Sequence, residues 1–295
     1  MELRQLEYFV AVAEEANFTR AAAKVHVAQP GVSAQIRRLE RELGQPLLDR
    51  SGRAVRLTEA GAAVLPYARA AIAAVSGARL TVDELTGLTR GRVAVGMVSS
   101  CASLGMPGVL AGFHQRHPGV EITLSEGNSD ELLAGLRSGG LDVAVVGLAG
   151  AAPPGIGTQV LVDEPLAAAV GPDDPLAGRQ VVSLAALGER ALMTLPRGTG
   201  VRASLDAGCA AAGLRPTIAF EASDPNVLAD LAARGLGVAV LPESLARSRP
   251  GELHAVTIDR PRLRGRLELA WRTDGPVSPA ATAFLGHARA VLAGS

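Results

Sequence analysis

The chain has 295 residues and 48% of them are hydrophobic, so it can bury a core large enough for two or three compact units, which excludes a disordered or fibrous protein. Its 29 Lys and Arg residues balance 29 Asp and Glu residues, so any nucleic-acid contact has to come from a local basic patch. It has only two cysteines, no signal peptide and no apolar stretch long enough to span a bilayer. The sequence therefore predicts a cytoplasmic protein that makes no membrane contact.

Basic charge is concentrated near the N-terminus. The first 90 residues carry 12 basic and 10 acidic side chains, and residues 20 to 56 alone carry eight basic against three acidic. A small basic module is therefore expected at the start of the chain.

This module has helical periodicity, with apolar residues at spacings of three and four. Pro30 suits the first turn of a helix and Gly44 suits the position after the last turn, so a helix between them follows a tight bend. Two short runs around a Gly-containing turn then predict a β-wing. The predicted elements are helices over 3–15, 20–25 (capped by Thr19) and 30–43, and wing strands over 46–50 and 54–57.

A long helix is predicted from Glu59 to about Leu85, with a kink at Pro66. Six apolar residues recur along it at alternating spacings of four and three, which predicts a seam where two copies of the chain pair. The alternative is that this stripe packs on its own domain. The predicted dimerisation seam consists of Val64, Ala68, Ala71, Val75, Ala78 and Val82.

Beyond residue 90 the pattern changes to short apolar runs that alternate with helical segments, which predicts parallel sheets covered on both faces. The order βαβαβ occurs from Val93 and again from Leu166. We therefore expect two similar subdomains with a ligand cleft between them. The eight predicted strands are 93–98, 120–124, 141–146, 166–170, 191–195, 217–221, 237–241 and 267–271.

Residues 18–61 resemble the DNA-binding domain of LysR-type transcriptional regulators. They contain the family's alanine-rich first motif helix, the Gln29-Pro30 opening of the recognition helix and the RLTEAG run into the linker helix. Ala28 departs from the pattern, because this family often has a capping serine there. Downstream, 117–120, 141–145 and 235–242 are similar to the family's effector domain.

The resemblance implies an α+β protein: an N-terminal winged helix-turn-helix, a long linker helix, and a C-terminal α/β effector domain of two Rossmann-like subdomains that resembles periplasmic binding proteins. It also implies a regulator that is not an enzyme and needs no cofactor or metal. The implied partners are double-stranded DNA, a small-molecule effector, RNA polymerase, and further copies of the chain in a homodimer or homotetramer. The expected domains are 1–58 (DNA-binding), 59–90 (linker) and 91–295 (effector-binding), the last divided into subdomain I (91–162 and 266–295) and subdomain II (163–265).

The candidate DNA-binding residues lie on the recognition helix and at the wing tip. Polar side chains near a helix N-terminus can contact base edges, and arginines off the apolar stripe can reach phosphates. The alternative is a solvated face in which Glu40 and Glu42 neutralise the arginines. The candidates are Gln29, Pro30, Ser33, Gln35, Arg37, Arg38 and Arg53.

The candidate effector-binding residues follow strands at which helices begin. Free N–H groups and the positive end of a helix favour an anion, and Arg197 would supply a cation from the second subdomain, so we expect a carboxylate effector. The alternative is that the serines are ordinary helix caps, which fits Ser129 better than Ser99 and Ser100 together, because one cap suffices. The candidates are Ser99, Ser100, Cys101, Ser129, Arg197, Thr199 and Ser223.

Three other functions remain open. Cys101 at a helix start could act as an oxidant sensor in a redox-responsive regulator, or it could be a buried wall of the cavity. Residues 198–203 match a relaxed GxGxxA nucleotide fingerprint, although glycines used for turning and packing explain that segment better. A solute-binding receptor that does not bind DNA is the third, and residues 1–58 argue against it.

Overall fold

The structure is a computed structural model that describes residues 1–51, 55–85, 91–99, 104–275 and 277–292. Within these residues, no helix combines the length and apolar character needed to cross a membrane.

The N-terminal head is a three-helix unit built on the predicted periodicity. Helices α1 (Leu3–Glu15), α2 (Phe18–Lys24) and α3 (Gln29–Leu43) pack on one another. Phe9, Ile36 and Leu39 are fully buried between them. The cap of α2 differs from the prediction: Asn17, and not Thr19, accepts the free N–H groups, those of Thr19 and Arg20, at 2.8 and 3.1 Å. The predicted boundary was wrong because Phe18 continues the helix and packs against the head core.

Both ends of α3 follow the chemistry of the sequence. Gly44 terminates it in the left-handed conformation, with φ at +71°, and donates its N–H to the Glu40 carbonyl. Ala28 occupies the N-cap position without a side-chain hydrogen bond. The wing strands β1 (Leu48–Asp49) and β2 (Arg56–Leu57) pair antiparallel and are shorter than predicted.

The linker helix α4 (Glu59–Leu85) contains Pro66 and runs the predicted length, but the predicted seam is only partly free. Ala68 is buried in the head core, and Val64 and Ala71 pack against that core. Ala68 is therefore covered by the head and does not face a partner chain, and Val64 and Ala71 are half-buried against the head. Val75 and Ala78 are exposed, and the side chain of Val82 lies outside the described part.

The rest of the chain forms a mixed sheet covered by helices. Its strand order is β4-β3-β5-β12-β6-β10-β8-β9. In addition, β11 pairs with β6, and β7 pairs with β11. The strands are β3 (Gly91–Met97), β4 (Val120–Glu126), β5 (Val143–Gly147), β6 (Ile156–Val170), β7 (Val181–Ser183), β8 (Ala191–Thr194), β9 (Thr217–Glu221), β10 (Val238–Pro242), β11 (His254–Asp259) and β12 (Arg264–Arg272). The helices are α5 (Met106–Arg116), α6 (Ser129–Arg137), α7 (Leu184–Gly188), α8 (Gly200–Ala211), α9 (Pro225–Ala233), α10 (Glu243–Arg247) and α11 (Pro279–Leu292).

Three groups of buried side chains form the cores of this region. One lies around β3, β5, α5, α6 and α11, and includes Phe113 and Phe284. The others lie on the two faces of β8 and β10, and include Leu192 on one face and Met193 on the other. The prediction of parallel sheets was wrong for β6 and β12, which pair antiparallel with their neighbours.

The two halves are joined by long strands. β6 pairs with β12 as far as Pro165 and with β10 and β11 from Leu166 onward, so it belongs to both halves. This geometry brings the carboxyl ends of β3, β5 and β8 to the space between the halves.

Candidate functional site

The outer face of α3 is the candidate DNA interface. Gln29, Pro30 and Arg37 are exposed on it, and Arg37 forms no ion pair among the described residues. Arg38 is also exposed, and its Nη2 lies 3.6 Å from Glu2 Oε1 in an open surface pair. An exposed pair of this kind contributes little, so the Arg38 guanidinium can exchange Glu2 for a phosphate.

Two predicted contacts are less accessible. Ser33 is only 9% exposed, on the inner stripe of α3. Gln35 is half-buried, and its Oε1 accepts a hydrogen bond of 3.4 Å from Nε2 of the buried Gln5. Both side chains therefore help to pack α3 against the head, and Gln5 of α1 orients the Gln35 side chain. Arg53 lies outside the described residues.

Glu40 has a role that the sequence alone did not reveal. Its Oε1 accepts the N–H groups of Leu47 and Leu48 at 3.0 and 3.2 Å, and its Oε2 lies 2.6 Å from Arg50 Nη2. Arg50 also lies over the Phe18 ring, 5.2 Å from its centroid. The Glu40 carboxylate is thus committed to the wing, and Glu42 pairs with the N-terminal amine. Neither acid neutralises Arg37.

A cavity of about 610 Å³ lies between the two halves of the effector domain, and we call it the cleft cavity. Ser99, Ser129, Thr199 and Ser223 all line it, so the structure brings four of the predicted residues together. Ser100 and Cys101 lie outside the described residues.

Two of these hydroxyl groups already have structural partners. Ser129 is buried, and its Oγ accepts the Gly147 N–H at 2.9 Å. Thr199 caps α8 by accepting the Arg202 N–H at 3.4 Å, and its hydroxyl donates to the Pro196 carbonyl at 2.7 Å. Ser99 and Ser223 are exposed to the cavity and free of hydrogen bonds among the described residues, so they are the better placed to meet a ligand.

Arg197 does not line the cleft cavity. It lies on a smaller pocket of about 340 Å³ that also involves Asp130 and Arg202. Among the described residues that line the cleft cavity, the positively charged side chain is Arg266, whose Nη2 lies 2.6 Å from Oε1 of the buried Glu268. The prediction of a carboxylate effector depended on Arg197, and this placement removes that support.

The two halves touch beside the cleft cavity through a pair of glycines. A Cβ atom on Gly200 would lie 2.6 Å from the carbonyl carbon of Gly147, so only glycine fits there. Nearby, the Asp130 N–H donates to the Gly198 carbonyl at 3.3 Å. Gly198 adopts a φ of +85°. The Gly-rich segment 198–200 therefore turns and packs, which explains it without a nucleotide.

Cys209 offers no support for redox chemistry. It is buried in α8, and burial raises the pKa of its thiol, with the nearby Asp206 carboxylate acting in the same direction. A thiol held protonated in this way is a poor nucleophile.

Comparison with known proteins matches both parts of the chain to one family. Residues 3–62 match the family described as bacterial regulatory helix-turn-helix protein, lysR family. Residues 86–293 match the LysR substrate binding domain.

Similar proteins cover nearly the whole length. The transcriptional regulator ShiR of Corynebacterium glutamicum is 36% identical over 274 residues, which is 92% of this chain and 92% of ShiR. Full-length OxyR of Pseudomonas aeruginosa, solved as a variant, has a TM-score of 0.71 and 27% identity, and the match covers 98% of this chain and 95% of that one. Full-length CbnR complexed with its target DNA has a TM-score of 0.60 and 28% identity, covering 98% and 99%.

Proposed function

Because this chain belongs to the LysR family of bacterial DNA-binding transcriptional regulators, we propose that a small effector in the cleft cavity controls how two paired heads engage operator DNA. One observation carries this proposal: a cavity of about 610 Å³ is lined from both halves of the effector domain. A ligand that contacts both halves can favour one arrangement of them over another, and only such a difference in affinity shifts the equilibrium.

The DNA contact is assigned to the exposed face of α3. Gln29 and Pro30 at its exposed start would face base edges, and Arg37 and Arg38 would contact phosphates. One α3 reads few base pairs, so a homodimer with two heads is needed for specificity. Acting on chromosomal DNA, this protein would work in the bacterial cytoplasm as a regulator and not as an enzyme.

In vitro selection of random duplex DNA with the full chain, followed by footprinting of the selected sites, tests this function. We expect two protected half-sites related by an interrupted dyad. Selection of unrelated sequences, or protection of one isolated half-site, would contradict the proposal of paired heads.

A further inference from the structure

The charges that line the cleft cavity are mostly negative. Glu126, Glu131 and Glu164 face it, and Arg266 is the one positively charged side chain among the described residues that line it. The residues that follow Ser99 in the chain, 100–103, are Ser-Cys-Ala-Ser and add no fixed charge.

The charge of Arg266 is offset by an acidic partner, while its buried Nε has no hydrogen-bond partner among the described residues. Its guanidinium lies 2.6 Å from the carboxylate of Glu268, which is 1% exposed and cannot be solvated. A buried carboxylate without its cation is strongly disfavoured, so Arg266 has to stay with Glu268 when a ligand binds.

The three helix N-termini at the cavity are compensated as well. The Glu131 N–H donates to Asn128 Oδ1 at 3.0 Å, the Arg202 N–H donates to the Thr199 hydroxyl, and the Asn226 N–H donates to Asp224 Oδ1 at 2.8 Å. In α6 the Glu131 carboxylate also accepts the Asn128 N–H at 3.1 Å. A negative side chain at a helix start offsets the dipole that would otherwise attract an anion.

Glu126 is the carboxylate with free capacity. It is exposed at the end of β4, and its side chain makes no hydrogen bond or ion pair among the described residues. Glu164 differs, because it accepts the N–H and the hydroxyl of Ser244 at 2.8 and 2.9 Å. A carboxylate without a partner at a cavity attracts a cation and repels a carboxylate.

We propose that the effector of this protein carries a protonated amine or guanidine group that binds at Glu126. The inference rests on the proposed function, because it names the chemical class of ligand for the same cavity. Ser99 and Ser223 then serve as neutral hydrogen-bonding groups around the remainder of the ligand.

Isothermal titration of the full chain with four five-carbon probes tests the inference: pentylamine, aminopentanoate, pentanoate and pentanol. We expect both amines to bind at least about tenfold more tightly than pentanoate, since charge-assisted hydrogen bonds are the stronger ones. Glu126→Gln should remove about that tenfold preference and leave pentanol binding unchanged. Glu121→Gln is the matched control, because Glu121 is exposed on the same strand but does not line the cavity.

The two amines distinguish a simple cation from a zwitterion, and either supports the inference. Tightest binding of pentanoate would overturn the charge inference and leave the effector role of the cavity standing. Unchanged amine binding by Glu126→Gln, or no measurable binding of either amine, would also overturn it. Binding of the full chain to the selected operator, measured without any of the four five-carbon probes, tests the DNA-binding function independently.

Discussion

Glu40 connects the recognition helix to the wing through one carboxylate. It accepts hydrogen bonds from two backbone N–H groups and forms an ion pair with Arg50. Its side chain is only 13% exposed, so it is largely shielded from water. Spacing could not identify this role, because the partners are seven to ten residues away on a chain that first has to turn at Gly44. The carboxylate therefore fixes the angle between α3 and the wing.

Replacing Glu40 by Ala leaves two N–H groups and the Arg50 guanidinium without their acceptor. We expect the free energy of unfolding of the head to fall by about 2 kcal/mol, as for other part-buried charge-assisted hydrogen bonds. Urea denaturation followed by circular dichroism measures this loss. Glu42→Ala is the control, because Glu42 pairs only with the exposed N-terminal amine; an equal loss in both variants would contradict the role of Glu40.

Arg37 is expected to contact a DNA phosphate, since it is exposed and lacks an acidic partner among the described residues. Arg37→Ala should weaken binding to different sequences about equally and reduce the slope of log affinity against log salt by about one. Fluorescence anisotropy at several salt concentrations gives both quantities. Arg247→Ala, which removes a distant surface pair with Glu243, should leave them unchanged. A loss confined to one DNA sequence would assign Arg37 to a base instead.

At the scale of elements, the linker helix shows what periodicity can and cannot determine. The stripe of small residues on α4 is real, but periodicity does not say which neighbour covers it. The structure places Val64, Ala68 and Ala71 against the head. Another face of the helix, rotated about 85° from this stripe at 100° per residue, also carries small residues. Ala63, Tyr67 and Ala78 are exposed on this face, Ala70 and Ala74 are half-buried on it, and we call the five residues the alanine face.

Tyr67 is 78% exposed on the alanine face, which is unusual for an aromatic side chain, and we propose that a second copy of α4 covers it. Burying two such side chains in a symmetric pair contributes about 3 kcal/mol or more. Tyr67→Asp should therefore raise the dimer dissociation constant at least about a hundredfold. Analytical ultracentrifugation across a concentration series measures this constant.

Ala62→Asp provides the control, because Ala62 is exposed about 140° round the helix from Tyr67. It should leave the dimer intact. If Tyr67→Asp stays dimeric and Val75→Asp dissociates, the dimer uses the originally predicted stripe beyond the head, and the alanine face is not the interface.

Sequence reasoning succeeded where the determinants are local and failed where they are distant. The bounds of α1 and the stop of α3 at Gly44 follow from periodicity and from one glycine. The length of β6 was not predicted: the predicted strand 166–170 is its second half, and the missed first half, 156–165, depends on pairing with β12, about 100 to 115 residues later. The cavity shows the same limit: four hydroxyl residues were found from their places after strands or at helix starts. Arg197 lies instead on the smaller neighbouring pocket, which depends on how α8 docks against β5.

For the whole molecule, the question is how occupancy of the cleft cavity reaches the heads. The halves are joined by β6 and β12, they touch at Gly147 and Gly200, and α11 of the effector domain contacts the linker helix. A change in the angle between the halves is therefore transmitted along a continuous set of packed elements. The coupling requires that the halves can approach each other fully beside the ligand.

Gly200→Ala tests this requirement. The new Cβ would lie 2.6 Å from the Gly147 carbonyl carbon and 2.9 Å from the Leu148 nitrogen, so the halves could not close to the observed distance. We expect effector binding to weaken at least about tenfold, while operator binding without effector stays within about twofold of the parent. Calorimetry and anisotropy measure the two affinities.

Gly108→Ala is the matched control, because a Cβ there meets nothing within 4 Å. The clash acts on closure of the two halves and not on the head. If operator binding without effector also weakened about tenfold, the heads would depend on this glycine contact even when no effector is bound. Unchanged effector affinity would show that the glycine contact takes no part in coupling.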